Sequence, residues 1–248
     1  GSSAAGARTF TATSSQGLML MAEMVFIAPM LRLPIVMVVA NRAISGPINI
    51  WNDHSDIMAI RDCGWVQIFA ENGQEATDLS IMSFRIAEDK DVMMPVILNI
   101  DGFTLSHFIE PITFPEKAKV DKYLPPYETS HKLDIDKPVS IGALGAPEVY
   151  SEARKMMDNA LLASKAGVVK AFNEFEKRFG RKYNLVETYK AEDAETIIVT
   201  MGSISETAMV AVDEMRAEGE KVGLVRIRLW RPFPVEEFQA AVKGAKYL

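Results

Sequence analysis

Apolar and polar positions along this chain group into strands and helices that predict two α/β units. Residues 8–13 alternate polar and apolar in a short β-branched run, which reads as a strand. Ser14 or Ser15 is placed to cap a helix over 17–29. That helix is apolar on nearly every face and is expected to be buried on all sides. Residues 33–40 form an unbroken apolar run, LPIVMVVA, expected to be a central parallel strand covered on both faces. A short helix is predicted over 56–62 and a strand over 65–70. Asn72 caps a helix over 73–89, and a further strand covers 95–100. Strand and helix alternating at this spacing give βαβ units with a parallel sheet.

Residues 101–147 change character, with prolines at 111, 115, 125, 126, 138 and 147, and read as a linker or a surface-wrapping segment. A long helix follows to Phe179 with Gly180 as its stop, and Gly167 marks a possible break within it. A second unit closes the chain. It has a strand over 195–201, a helix capped by Ser203 or Ser205, a strand over 222–229, a rigid Trp230–Pro234 turn and a helix over 235–243. The expected division is a first domain over 1–110, a linker over 111–147 and a second domain over 148–248.

Composition narrows the picture. With 248 residues and 48% apolar content, the chain can bury one large core or two modest ones. A net charge of −6 supplies no basic excess to neutralise phosphates, which argues against nucleic acid as a partner. The one cysteine, Cys63, excludes a disulfide framework or an iron–sulfur site built within the chain and fits a reducing, cytoplasmic setting. Uninterrupted apolar runs of about 18 residues are absent, so no membrane span is expected. The start, GSSAAGARTF, and the end, GAKYL, are both abrupt, and the chain is expected to be a piece of a longer product.

The candidate chemistry gathers at the two ends of residues 13–56. Arg42 directly follows the apolar strand, at the sheet edge where parallel α/β folds bind ligands. It is placed either to hold a carboxylate or phosphate, or to pair with Asp53 or Asp56 and fix the loop. The turn Ser14-Ser15-Gln16 lies at a helix N-terminus, suited to a polar or anionic ligand or to ordinary capping. Asp53, His54 and Asp56 are either a metal or acid–base cluster or a helix cap with a surface histidine. Cys63 is either a perturbed thiol or a small buried residue. Five methionines between Met19 and Met37 read as adaptable core or subunit packing. No Walker A loop, GxGxxG, GxSxG or zinc spacing occurs.

Over nearly its whole length the chain resembles the α subunits of pyruvate:ferredoxin oxidoreductases, within the 2-oxoacid:ferredoxin oxidoreductase family. The resemblance is carried by GARTFTATSSQGL, RLPIVMVVANRAISGPINIWNDHSDIMAIRDCGW, NGQEATDLSIMSFRIAED, MMPVILNIDGF and VTMGSISETAMVAVDEMRAEGEKVGLVRIRLWRPFP. It implies a pyrimidine-type thiamine-diphosphate-binding fold followed by a transketolase C-terminal-like domain. It also implies cleavage of a 2-oxoacid, acyl transfer to coenzyme A and electron transfer to ferredoxin. Arg42 would bind the substrate carboxylate, with Ser14, Ser15 and Gln16 near the thiamine cleft. No metal is expected on this chain. Magnesium and the [4Fe–4S] clusters would lie in partner β, γ and δ subunits, in a dimer of hetero-oligomers. The family's upstream YPITP-type and ESEH-type segments, with a substrate-contacting Thr and a cofactor-activating Glu, do not occur in this sequence. The other readings are an inactive dimerisation fragment and a subunit acting on another 2-oxoacid.

Overall fold

The computed structural model describes residues 1–142 and 144–248. In chain order, the first unit comprises β1 (Thr9–Thr13), α1 (Ser15–Leu20), α2 (Ala22–Met30), β2 (Ile35–Asn41), α3 (Ser55–Ala59), β3 (Val66–Phe69), α4 (Gly73–Ala87) and β4 (Val96–Asp101). Short helices α5 (Thr104–His107) and α6 (Lys117–Tyr123) punctuate the proline-rich stretch, and α7 (Pro147–Phe179) follows. The chain then runs through β5 (Val186–Tyr189), β6 (Thr196–Thr200), α8 (Ile204–Ala217), β7 (Val222–Ile227), β8 (Leu229–Arg231) and α9 (Val235–Ala241). Among the described residues, no helix is long and apolar enough to cross a membrane.

The fold is α/β, built on two sheets whose principal strands run parallel. The larger sheet has the order β1-β2-β4-β3-β8, and β8 joins its edge antiparallel. Side chains alternate faces along each strand. Val36, Val96 and Leu98 pack under α4 and α7, while Met37, Val39 and Ile97 pack under α1, α2 and α3. Each such buried side chain contributes roughly 1.5–3 kcal/mol. Both faces being covered explains why β2 reads as a continuous apolar run.

This layering locates a topological switch point. The chain leaves the carboxyl end of β2 toward α3, on one face, and leaves β4 toward the segment that leads to α7, on the other. β2 and β4 are neighbours, in register from Val36↔Val96 to Asn41↔Asp101. Their loops therefore diverge beyond the strand ends, at the switch-point crevice where open α/β sheets bind ligands.

Several local expectations change. The 17–29 helix is two helices meeting at Met21, and it is not buried on all sides: Leu20 is 91% exposed and Met24 58%. An all-apolar helix carries no moment to show which face lacks cover within the chain. Gly167 does not break α7. Instead it lets the helix approach β4's approach loop, where an added Cβ would lie 2.3 Å from Val92 Cγ2. Helix α7, which the sequence boundary places in the second domain, packs Met157, Leu161, Val168, Phe172 and Phe175 onto the first sheet.

The smaller sheet, β5-β7-β6, gains an antiparallel edge strand, β5, that the sequence did not predict. After β7 the chain crosses to the larger sheet as β8, with Arg228 buried at the crossing. Arg228 Nη2 lies 2.5 Å from Glu75 Oε1 and Nη1 2.7 Å from Glu187 Oε1. Arg226 pairs with Glu71 and Glu75. Burial pushes the Glu71 carboxyl up to about 7, with Arg226 opposing and Glu75 reinforcing the shift.

Candidate functional site

The crevice is organised by the Asp56 carboxylate, which is fully buried. Its Oδ2 accepts the backbone N–H of Ser15 at 3.1 Å and that of Arg42 at 3.2 Å. Its Oδ1 accepts the N–H of Ile57 at 2.7 Å and the Asn41 amide at 3.1 Å. Burial pushes this carboxyl above the ordinary aspartate value, against these donors, which favour the ionised form. Asp56 thus ties the β1–α1 turn and the end of β2 to α3, which is more than the capping role its place near a helix start suggested.

Arg42 departs from the loop-fixing reading. Asp56 takes its backbone N–H and not its guanidinium, and Asp53 instead receives Ser55 N–H at 2.6 Å. The partly buried guanidinium donates from Nη2 to Gln16 Oε1 at 2.9 Å, while Nε is buried without a partner. Among the described residues, no carboxylate lies within ion-pair reach of it. A half-buried guanidinium without an acidic partner is suited to an anion from outside the chain.

The Ser14-Ser15-Gln16 turn packs against the same strand end. Ser14 Oγ donates to Ala40 O at 2.7 Å and Ser15 Oγ to Ala43 O at 2.5 Å, so neither hydroxyl caps α1. Ser15 holds φ +41°, a left-handed conformation that costs a non-glycine residue about 1–3 kcal/mol and is held here by the Asp56 bond. Gln16 reaches Ser45 with its amide nitrogen and Arg42 with its oxygen. The structure therefore brings Ser14, Ser15, Gln16, Arg42 and Asp56 together, with the two serines bracing backbone and Gln16 orienting Arg42.

His54 is not a surface residue. Its Nε2 donates to Asp101 Oδ1 at 2.8 Å, and its ring meets Phe69 edge-on at 5.0 Å. Asp101 Oδ2 accepts both the N–H and the hydroxyl of Ser203, each at 2.6 Å. Ser, His and Asp meet here, but the carboxylate sits between the other two, so no base addresses the hydroxyl as nucleophilic catalysis requires. Neither Ser203 nor Ser205 caps α8 by its side chain, because Asp101 receives the first hydroxyl and Gly202 O the second.

Sequence reasoning missed the polar ladder beneath the crevice. Asn41 Nδ2 donates to Asn99 Oδ1 at 3.1 Å, and Asn99 Nδ2 to Ile68 O at 3.2 Å, all within the sheet core. The available signal was an asparagine inside an otherwise apolar strand. Gly102 closes the β2–β4 approach, since a Cβ there would lie 2.5 Å from Asn41 O. On the outer rim Phe103 stands 5.3 Å from Trp51 and stacks on His107 at 5.2 Å, with Trp51, Phe108 and Ile109 exposed. His107 bonds Ser106 at 2.8 Å, and His131 lies away from the crevice with Nε2 2.9 Å from Leu31 O. Cys63 is fully buried and its thiol is pushed up to about 12 by that burial, which makes it a packing residue and not a reactive thiol. Among the described residues, no three His, Cys, Asp or Glu side chains converge to hold a metal ion.

Comparison with known proteins identifies the family of the chain. Residues 1–173 match the family model for the thiamine-diphosphate-binding part of pyruvate flavodoxin/ferredoxin oxidoreductases, and residues 194–248 match core domain II of pyruvate:ferredoxin oxidoreductase. Pyruvate synthase subunit PorA of Pyrococcus horikoshii is 50% identical over all of this chain and 63% of its own length. PorA of Methanothermobacter thermautotrophicus is 49% identical over 99% of this chain and 64% of its own. Ketoisovalerate oxidoreductase subunit VorA of P. horikoshii is 42% identical over 99% and 62%. The chain thus spans just under two-thirds of the length of these relatives. A solved 2-oxoglutarate:ferredoxin oxidoreductase from Magnetococcus marinus shares the fold at a TM-score of 0.68 and 23% identity, over 98% of this chain and 46% of that one. Between them the two family models cover all of the sequence but residues 174–193, and the chain belongs to the pyruvate flavodoxin/ferredoxin oxidoreductase family.

Proposed function

We propose that this chain forms the oxoacid-binding part of the α subunit of a 2-oxoacid:ferredoxin oxidoreductase, with pyruvate as the substrate. One observation carries the reading: Arg42 stands at the switch-point crevice with its guanidinium oriented by Gln16, an unpartnered buried Nε and no acidic partner. A 2-oxoacid brings a carboxylate that suits this fork, and holding it there would fix the position of the adjacent keto carbon. Pyruvate is favoured over longer oxoacids because the relatives named pyruvate synthase stand at 45–50% identity, against 42% for the ketoisovalerate enzyme.

This reading assigns to the crevice the organic end of thiamine diphosphate and not its diphosphate. Asn41 Oδ1, Asn52 Oδ1 and Arg42 Nε are buried near the strand end without a partner in the chain. The diphosphate and its magnesium ion belong, on this reading, to a partner β subunit. When bound, thiamine diphosphate supplies the carbanion chemistry that 2-oxoacid cleavage needs. What this chain contributes is orientation. Arg42 holds the carboxylate, Gln16 sets the plane of the guanidinium, and Asp56 fixes the backbone of both Ser15 and Arg42.

Electrons would leave through [4Fe–4S] clusters in further γ and δ subunits to ferredoxin, and the acyl group through coenzyme A, in the cytoplasm. The single cysteine of this chain supports clusters held elsewhere. Exposed Leu20, Met24, Trp51, Phe108 and Ile109 support a chain that is covered by neighbours in a hetero-oligomer. The test is ferredoxin reduction by the assembled complex containing the full-length chain. Reduction that requires pyruvate, coenzyme A and thiamine diphosphate together supports the reading. Reduction driven by 2-oxoisovalerate and not by pyruvate overturns the substrate, and no oxoacid-dependent reduction overturns the function.

A further inference from the structure

The Asp101 carboxylate joins three elements that the sequence keeps far apart. It ends β4, receives the His54 ring ahead of α3, and receives the N–H and hydroxyl of Ser203 at the start of α8 in the second unit. Its side chain is 1% exposed, so each of these bonds stands in for water that an ionised carboxylate would otherwise bind. The N-terminal end of a fourteen-residue helix adds a favourable dipole. Gly202 leaves room for the approach, because a Cβ there would meet the Asp101 oxygens at 2.6 and 2.7 Å.

Two routes lead from Asp101 to Arg42. Along the sheet, Asp101 is in register with Asn41, the residue before Arg42, and Gly102 N–H donates to Asn41 O at 2.9 Å. Along the chain, His54 precedes Asp56, whose carboxylate holds the Arg42 N–H. The loop between Arg42 and His54 is closed at its base by the Arg42↔Asn52 bridge, so His54 anchors the loop's outgoing end. Both ends of the segment that carries the guanidinium are thereby referred to the docking of α8.

We infer that Asp101 is a positioning residue that makes the placement of Arg42 depend on the docking of the second unit through Ser203. This rests on Arg42 as the carboxylate-binding residue. The crevice is then complete only when the two units are docked, and loosening the Ser203 contact lets the loop from Arg42 to His54 drift.

Steady-state kinetics of the assembled complex test this with Ser203→Ala, Ser203→Thr and Arg42→Ala. Ser203→Ala keeps the backbone bond and removes only the hydroxyl, at a position without contact to Arg42. The expected result is a rise in KM for pyruvate on the order of tenfold, the scale of one lost hydrogen bond to a charged group, with kcat within about twofold. Ser203→Thr, which restores a hydroxyl, returns KM toward the wild-type value. In an Arg42→Ala background Ser203→Ala adds no further rise, because the arginine it positions is gone. An unchanged KM in Ser203→Ala, or a rise that persists undiminished in the Arg42→Ala background, overturns the inference and leaves the Arg42 assignment standing. An unchanged KM in Arg42→Ala alone overturns the assignment itself, and the inference with it.

Discussion

The Asp56 carboxylate accepts the backbone N–H of Arg42 at 3.2 Å while the guanidinium of that arginine points away to Gln16. The acid therefore fixes where the arginine starts without neutralising its charge. This separates two roles that an Arg-Asp pair at the same spacing would merge: a salt bridge would have consumed the cation, whereas a backbone bond places it.

Replacing Asp56 by Asn tests how much the crevice depends on this hub. An amide offers one acceptor oxygen, and its NH2 must face either the Ser15 and Arg42 donors or the Ile57 and Asn41 donors. Leaving buried donors unpaired is expected to cost about 2–3 kcal/mol. Thermal unfolding of the complex should show a lowered midpoint for Asp56→Asn, together with a raised KM for the oxoacid.

The junction of the two units should respond to pH through Glu71. Its folded value is raised from the ordinary 4.5 to about 7, so its contribution to stability is complete below about 4.5 and is lost as pH rises through about 7. Wild-type stability should therefore fall across that window by more than the stability of Glu71→Gln does. Unfolding midpoints for both at pH 5, 6, 7 and 8 check this. Parallel curves would mean that Glu71 titrates as an ordinary carboxyl.

Gly167 offers a test of packing against propensity. In an open helix, Gly→Ala should stabilise by about 1 kcal/mol. At this position the new methyl meets Val92 Cγ2 at 2.3 Å, and overpacking should reverse the sign, costing about 1–3 kcal/mol. Val92→Ala in the same chain should recover part of that loss. A Gly167→Ala variant more stable than wild type would show that α7 does not approach this closely.

Much of the architecture was legible in the sequence, for identifiable reasons. β2 announced itself because a strand covered on both faces has no polar positions. The ends of α7 were readable from Pro147 and Gly180, which stands at φ +76°. β5, with the sequence VETY, was missed because an edge strand with Glu and Thr looks like a loop until its partner β7 is known. The exposed side of α2 was missed because an apolar helix reads the same whether its cover lies inside the chain or outside it. At the site, the place of Arg42 after β2 marked it as a candidate, and the family resemblance supplied its expected role. The partners of Asp56, Asp101 and Asn99 were not legible, because a buried polar residue declares a need for partners without saying where in the chain they lie.

The most direct test of the account is the KM for pyruvate of Arg42→Ala and Arg42→Lys complexes. Loss of a charged contact to the carboxylate predicts a KM increase worth about 2–3 kcal/mol for Arg42→Ala. Arg42→Lys should recover only part of it, because a point charge cannot reproduce the bidentate fork. A KM for Arg42→Ala equal to that of the wild type would contradict the account.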